Sequence, residues 1–256
     1  MLDTTTPRSA HPRQRRQAGL DGPTTKERDY LEVIYYLSQR DEPVIAAVLA
    51  RWLNLQPSTV SHAVHEMDRK GYIQRDERNI ISLTADGFGL AEEIVRRHRV
   101  LECFLADVVG MPWHLVHEEA VRLEHALSPA LEERIDTLVG AATTCPHGNP
   151  IPGSNGLQPG SIRLDTAEIG TLFTIRRIEE QAEERTDLLR YLETNGIIPG
   201  NQFFIPDAAP TYGITLRCCN HDITLPLEIV TLIWGESAPI DDTRYAVGVG
   251  TTNTTT

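Results

Sequence analysis

Five of the chain's nine histidines fall between positions 98 and 147: His98, His114, His117, His125 and His147. His98 stands four residues before Glu102, His117 precedes the adjacent pair Glu124 and His125, and Cys145 lies two residues before His147. Upstream, Asp29 and Glu32 are three apart. Positions three and four apart share one face of a helix, so several helices can each offer one or two of these groups to a common point. Imidazole with carboxylate suits Mn(II), Fe(II), Co(II) or Zn(II). The carboxylates lean toward manganese or iron, and a Cys145 thiolate pulls toward softer ions. The chemistry this pattern points to is therefore cation coordination. A lone histidine on an amphipathic helix is more often structural, but the clustering weighs against that here. Glu92, Glu93, Glu118 and Glu119 lack a histidine partner or face away, and read as solvated.

These groups need helices to hold them, and the sequence supplies them. Residues 1–23 are rich in Pro, Arg and Thr without periodicity and read as a disordered arm. Thr24 and Thr25 can cap a helix over about 26–39, with Tyr30, Leu31, Ile34, Tyr35 and Leu37 as its apolar stripe. A short helix (44–53), a turn at 54–57 and a second helix (58–70) closed by Gly71 follow. Two short apolar runs around 72–75 and 80–83, joined by Asp76-Glu77-Arg78-Asn79, form a hairpin. Residues 24–84 thus read as a winged helix-turn-helix. Thr84 opens a long helix (85–109) ended by Gly110, then come helices over 114–127 and from Pro129 to about 138. Residues 85–142 read as a helical dimerisation and metal-binding domain. The Pro- and Gly-rich stretch 143–160 reads as a linker. Beyond it, strand-like runs at 170–178, 202–205, 212–218 and 223–234, with a helix over 183–194, suggest a small SH3-like β-barrel within 161–250. The fold class is mainly α with a β C-terminal domain.

The second helix of such a reader enters the major groove and presents its first residues to base edges. Here those are Gln56, Pro57, Ser58, Thr59, Ser61 and His62, all but Pro57 able to hydrogen-bond bases or phosphates. Arg51, Arg69, Lys70 and Arg78 are candidate phosphate contacts. Their number is modest, so a homodimer on a palindromic double-stranded operator is the expected binding unit.

The net charge of −12 looks wrong for a DNA binder until it is divided. Residues 43–82 carry five Lys/Arg against four Asp/Glu, whereas 83–159 carry five against eleven. The acidity therefore lies outside the reader, where a bound cation would offset it. No apolar run approaches the roughly 20 residues of a membrane span, and the arginine-bearing N-terminus has no apolar core like that of a secretory signal. Cys103, Cys145, Cys218 and Cys219 follow neither a zinc-ribbon nor a disulfide pattern. Reduced thiols in a cytoplasmic protein without membrane contact are the expectation.

The run His98-Arg-Val-Leu-Glu102-x-Phe-Leu, with Glu124-His125-x-Leu-Ser128 and Cys145-Pro-His147-Gly-Asn-Pro-Ile-Pro-Gly153, resembles the diphtheria toxin repressor family of iron- and manganese-dependent regulators. The likeness runs from about Thr24 to the C-terminus. It implies three units: a winged helix, a helical dimerisation and metal domain, and an SH3-like domain similar to that of iron-transport accessory proteins. Carried across by position, the resemblance groups His98, Glu102 and His117 in one metal site. It groups Glu124 and His125 with Asp29 in another. Asp29, where iron-responsive members carry Met, and Glu32 are similar to the manganese-responsive branch. Cys145 and His147 match a further pair completed by a C-terminal carboxylate, here Glu183 or Glu184. One position departs from the family: Val121 stands where it carries Cys or Glu, and Val cannot coordinate. The Asp29–Glu124–His125 site is therefore the weaker expectation.

The sequence thus points to a metal-dependent DNA-binding transcriptional regulator, with a Mn(II)-activated repressor of metal-uptake genes as the first reading. An Fe(II)- or Zn(II)-responsive repressor of the same family is the nearest alternative. A winged-helix regulator sensing a small organic ligand is a second. A metal hydrolase is a third, but it needs an open coordination position and a positioned base, and no nucleophile motif is present.

Overall fold

The computed structural model describes residues 22–40, 43–156, 160–206, 208–209, 212–218 and 221–239. The N-terminal arm and the C-terminal tail lie outside these residues. Three separate apolar cores follow one another along the chain.

The first core belongs to the winged helix. Helix α1 (Thr25–Ser38) starts at a capping box: the Thr24 side chain accepts from the Glu27 amide, and the Glu27 carboxylate accepts from the Thr24 amide. Its stripe Tyr30, Leu31, Ile34 and Leu37 packs with Leu49 of α2 (Ala46–Trp52) and with Val60, Val64 and Met67 of α3 (Pro57–Arg69). Strands β1 (Ile73–Arg75) and β2 (Ile81–Leu83) pair antiparallel to form the wing. Asp76 closes the wing turn by accepting from the Arg78 and Ile80 amides, and Asn79 takes the left-handed conformation the turn needs.

Helix α4 (Ala85–Cys103) is the central rod, capped by Thr84. It leaves the reader through a close approach: a Cβ at Gly87 would sit 1.8 Å from the Tyr72 carbonyl oxygen. The expected single helix to 109 divides in two, with α turns to Cys103 and a π-helical turn over Phe104–Val109 that ends at left-handed Gly110. A 3-10 turn (Trp113–Leu115) leads into α5 (Val116–Glu124), shorter than read from sequence, and Pro129 opens α6 (Pro129–Val139) at its first turn. The second core lies between these helices and includes Cys145 and Ile151. The stretch read as a linker thus contributes to packing. Thr144 bridges Pro150, and His147, Gly148 and Asn149 are buried. Gly148 is left-handed, and a Cβ there would sit 2.0 Å from the Arg176 carbonyl oxygen.

The third core fills an antiparallel sheet with the SH3-like architecture expected for the C-terminal domain. Its strands are β3 (Ile162–Arg163), β4 (Thr171–Ile178), β5 (Gln202–Phe204), β6 (Ala208–Ala209), β7 (Gly213–Cys218), β8 (His221–Leu225) and β9 (Ile233–Pro239). Their order is β3-β9-β4-β5-β7-β6, with β8 also paired to β7. Two readings from sequence differ here. The helix expected over 183–194 is split into α7 (Glu180–Glu183) and α8 (Thr186–Thr194). The strand expected over 223–234 is interrupted by α9 (Leu227–Val230), because Pro226 cannot donate to the ladder and starts a helical turn instead.

Replacing Gly87 by Ala should lower stability by about 1–3 kcal/mol, since backbone rather than a flexible side chain meets the new methyl. Chemical denaturation with an unchanged m-value is the check. Wild-type stability would show that α4 can leave the wing at a different spacing.

Candidate metal centre

The end of α4, the start of α5, the 144–150 loop and α7 meet at one point. From α4 come His98 and Glu102, which are fully buried, and from α5 comes His117. The loop supplies Cys145 and His147, and α7 supplies Glu183. The ligand atoms of His98, Glu102, His117 and Glu183 all lie within 4.8 Å of one another, as do those of Glu102, Cys145 and His147. Glu102 belongs to both sets.

The distances define a converging set of lone pairs. His98 Nε2 and His117 Nδ1 face each other at 3.1 Å, each 3.3 Å from Glu102 Oε1. Glu183 Oε2 is 3.2 Å from His117 Nδ1 and 3.4 Å from His147 Nδ1, which is itself 3.4 Å from Glu102 Oε1. Yet Glu102 Oε2, His117 Nε2, both ring nitrogens of His147 and Glu183 Oε2 are buried with no hydrogen-bond partner. Buried polar atoms are normally satisfied. Imidazole and carboxylate groups left this way around one point, with the Cys145 thiol beside them, fit a divalent cation.

The electrostatics agree. Burial drives Glu102 up, but His147 and His98 beside it and hydrogen bonds from His117 and His147 outweigh that and hold its carboxyl well below the usual range. Burial drives His98 and His117 down, but the surrounding carboxylates, Glu102 foremost, hold both well above the ordinary imidazole value. Glu183 is pushed up to about 8 by burial and by Glu180. Burial, with Glu102 and Glu183 nearby, pushes the Cys145 thiol well up. Without a cation, then, protons stand in for the missing charge.

Neighbouring groups fix this arrangement. Asn149 donates to Glu183 Oε1 at 2.6 Å and to the Ile178 carbonyl at 2.8 Å, leaving Glu183 Oε2 for the cluster. Trp113 packs on the His147 ring at 4.5 Å between centroids and donates to the Pro146 carbonyl. Buried Arg99 Nε donates to Glu180 Oε1 at 3.0 Å, tying α4 to α7. Glu179 ion-pairs with Arg40 and accepts from Trp234 Nε1 at 2.7 Å. The guanidinium of Arg40 lies 5.0 Å from the Trp52 ring centroid, at the end of α2. Asn149, Glu180, Arg99 and Glu179 were not singled out from sequence. Asn149 does stand inside the Cys145–Gly153 motif, the one available signal.

Other expected ligands sit elsewhere. Of the two C-terminal carboxylates considered, Glu183 enters the cluster, whereas Glu184 is 63% exposed in its side chain and 3.6 Å from His117 Nε2. Asp29 and His125 are 4.0 Å apart with side chains 47% and 34% exposed, and exposed Val121 offers them nothing. Glu124 accepts from or faces His98 Nδ1 at 3.0 Å. Glu32 accepts from the Tyr36 hydroxyl at 2.5 Å, and burial pushes it up to about 7.

On the reader, Gln56, Pro57, Ser58, Thr59, Ser61 and His62 are all exposed along one end of α3, and Arg51 and Arg78 are exposed. Two of the expected phosphate contacts are engaged within the chain. Lys70 pairs with Glu27 at 2.7 Å and Arg69 with Glu66 at 2.8 Å.

A winged helix joined to a buried cation-ligand cluster defines a metal-dependent DNA-binding regulator. The comparisons with known proteins place it further. Residues 24–79 match "Iron dependent repressor, N-terminal DNA binding domain", 84–153 match "Iron dependent repressor, metal binding and dimerisation domain", and 162–237 match "FeoA domain". The chain is 33% identical over 212 residues to the iron-dependent repressor IdeR of Mycobacterium tuberculosis, covering 78% of this chain and 92% of that one. It is similar to a solved manganese-dependent transcriptional repressor in complex with manganese (30% identity, TM-score 0.73, 83% of this chain and 100% of that one). It is also similar to ScaR with bound Zn2+ (26% identity, TM-score 0.71, 83% and 99%). The chain belongs to the iron-dependent repressor family, with a C-terminal FeoA domain, and is a metal-dependent DNA-binding transcriptional repressor. Among the described residues no helix is long and apolar enough to cross a membrane.

Because ligands must be deprotonated to coordinate, Glu183, Cys145 and the two imidazoles should release protons when a cation binds. Each has a raised value without metal, so lowering the pH from 8 to 6 favours the proton-bound state and must weaken apparent affinity. Calorimetric titration of Mn(II) in buffers of differing ionisation enthalpy should show release of more than one proton per ion. A pH-independent affinity would place the bound ion outside this cluster.

Proposed function

We propose that the chain is a Mn(II)-activated repressor that binds a palindromic operator as a homodimer and controls genes for metal uptake. The observation that carries the metal assignment is the convergence of His98, Glu102, His117 and Glu183, a nitrogen–oxygen donor set of the kind that suits manganese or iron. A bound cation would supply the positive charge that the buried carboxylates lack. His98, Glu102, His117, Glu183, Cys145 and His147 would hold it. Asp29, Glu124, His125, Glu32 and Glu184 stand outside that set.

The chain's own contacts suggest how the centre reaches the reader. Helix α7 carries Glu183 into the cluster and Glu180 onto Arg99, while the preceding Glu179 holds Arg40 beside Trp52. Drawing α7 against α4 therefore also fixes the end of α1 against α2. That restricts the relative placement of the two recognition helices in a dimer and favours the spacing an operator requires. The exposed apolar residues Val108, Val109, Leu131 and Leu138 on the π-helical turn and α6 offer a surface for the second subunit. Gln56, Ser58, Thr59, Ser61 and His62 would contact bases, and Arg51 and Arg78 phosphates. Arg69 and Lys70 would do so only by leaving Glu66 and Glu27.

One observation favours a second reading. Cys145 and His147 share Glu102, and a thiolate–imidazole pair draws Zn(II), Co(II) or Fe(II) more strongly than Mn(II). Operator affinity of the metal-stripped protein, titrated with Mn(II), Fe(II), Co(II) and Zn(II) in turn, separates the two. Activation by Zn(II) with none by Mn(II) would reject the manganese assignment.

Glu102→Gln should abolish the metal-stimulated gain in operator affinity while the metal-free protein keeps its fold, measured by fluorescence anisotropy and circular dichroism. Wild-type stimulation in this variant would end the assignment of the centre. Gln56→Ala should weaken operator binding by about 1–3 kcal/mol and leave binding to non-operator DNA unchanged. Equal losses on both DNAs would remove Gln56 from base recognition.

A further inference from the structure

His147 is fully buried, and among the described residues neither of its ring nitrogens has a hydrogen-bond partner. Its Nδ1 lies 3.4 Å from both Glu102 Oε1 and Glu183 Oε2, so this nitrogen faces the cluster. A histidine that ligates a metal commonly donates its other N–H to a carboxylate, carbonyl or water, which fixes the ring. The His147 ring instead packs on Trp113, 4.5 Å between centroids and tilted by 58°. That separation lies in the range of roughly 4.5–7 Å that favours aromatic pairs. We propose that Trp113 is the positioning residue of His147, setting by ring packing the orientation that a hydrogen bond would otherwise set. This rests on the reading of the buried cluster as the metal centre.

Trp113 can hold a neighbour only if it is itself held. Its backbone N–H donates to Glu193 Oε1 at 3.1 Å, and its indole Nε1 donates to the carbonyl of Pro146, the residue before His147, at 2.9 Å. Trp113 also packs against the apolar core of the FeoA domain. The next residue, His114, pairs with the same Glu193, and its Nε2 accepts from Arg190 Nε at 3.3 Å. Glu193 and Arg190 lie on α8, so the FeoA domain grips the 3-10 turn ahead of α5 with one helix and supplies Glu183 from another. The His147 main chain is already set: its carbonyl accepts from the Ile178 amide at 2.8 Å, and Gly148 after it packs closely on the Arg176 carbonyl. What remains to be fixed is the ring, and Trp113 lies against it.

The rival is that Trp113 only docks the FeoA domain on the helices. The two roles differ in what they require of His147. Docking acts on the centre whichever ligands are present. Positioning acts through one ring, so its effect vanishes when that ring is removed, and a double-mutant cycle separates the two.

The test is calorimetric titration of Co(II), which takes imidazole, carboxylate and thiolate ligands, into the full-length, metal-stripped protein, with circular dichroism as a check of fold. Trp113→Leu keeps apolar bulk but removes the ring, and should weaken Co(II) binding about 10–100-fold. Trp113→Phe keeps a ring without the indole N–H and should retain most of the wild-type affinity. His147→Ala should lose affinity, and adding Trp113→Leu to it should cost no further factor. X-ray absorption at saturating Co(II) should count one imidazole fewer in His147→Ala and the wild-type number in Trp113→Leu. Equal fold-losses from Trp113→Leu in the wild-type and His147→Ala backgrounds would overturn the proposal. So would a loss in Trp113→Phe as large as that in His147→Ala, a result that decides even if Trp113→Leu does not fold. If His147→Ala binds Co(II) like wild type, the reading of the centre at His147 is wrong. If it loses affinity while Trp113→Leu does not, only the role of Trp113 falls.

Discussion

A carboxylate taken completely out of water is the constraint on which the rest of this structure turns. Glu102 is fully buried, with three imidazoles and a second carboxylate around it and one oxygen left without a partner. Removing one carboxylate from water costs several kcal/mol even after the surroundings relax, and Glu183 and Glu180 are buried beside it. Arg99 answers Glu180. Among the described residues, no Lys or Arg ion-pairs with Glu102 or Glu183. The imidazoles can answer them with protons, but those protons repel one another across 3.1 Å. A divalent cation would meet all of these demands at once, and the proposed sensing rests on that.

The location of that incompleteness matters as much as its chemistry. The candidate ligands come from α4 and α5, from the 144–150 loop and from the FeoA domain, so no single unit holds them all. Glu179, Glu180 and Glu183 lie within five consecutive residues and engage, respectively, Arg40 just beyond α1 of the reader, Arg99 of α4 and the cluster. A segment this short with three such attachments has little freedom to move one without the others. The reader and the FeoA domain are thereby tied to the surroundings of Glu102 through contacts between packed elements, which interior packing density makes stiff.

How much of this was legible in the sequence follows from the range over which each signal acts. Capping and periodicity are local, so α1, α3, the wing and the start of α4 read correctly from Thr24, Pro57, Gly71 and Thr84. The ligands on helices were visible because coordination imposes the same i, i+4 spacing that the helix does. The 143–160 stretch misled because Pro and Gly content signals a loop without saying whether the loop is buried. Its Gly148 is there because a Cβ would fall 2.0 Å from the Arg176 carbonyl oxygen, a close packing made across domains. Glu183 could be narrowed only to a pair with Glu184, because the choice between adjacent residues depends on where α7 breaks, and nothing local marks Glu184-Arg185 as the break. The roles of Arg99, Glu180 and Asn149 were hidden for a related reason: their partners lie far along the chain, and an isolated Arg or Asn carries no periodic signature.

Val121 ties these points together. A missing donor at one position of α5 would be a mere defect if each ligand set were independent. In this chain Glu124, one turn further along the same face of α5, lies between two imidazoles, 3.0 Å from His98 Nδ1 and 3.3 Å from His125 Nε2. Helix α5 thus reaches His98 of α4 twice, with His117 and with Glu124. A helix nine residues long can present only one face to α4, and here that face is spent on the site that also binds the FeoA domain.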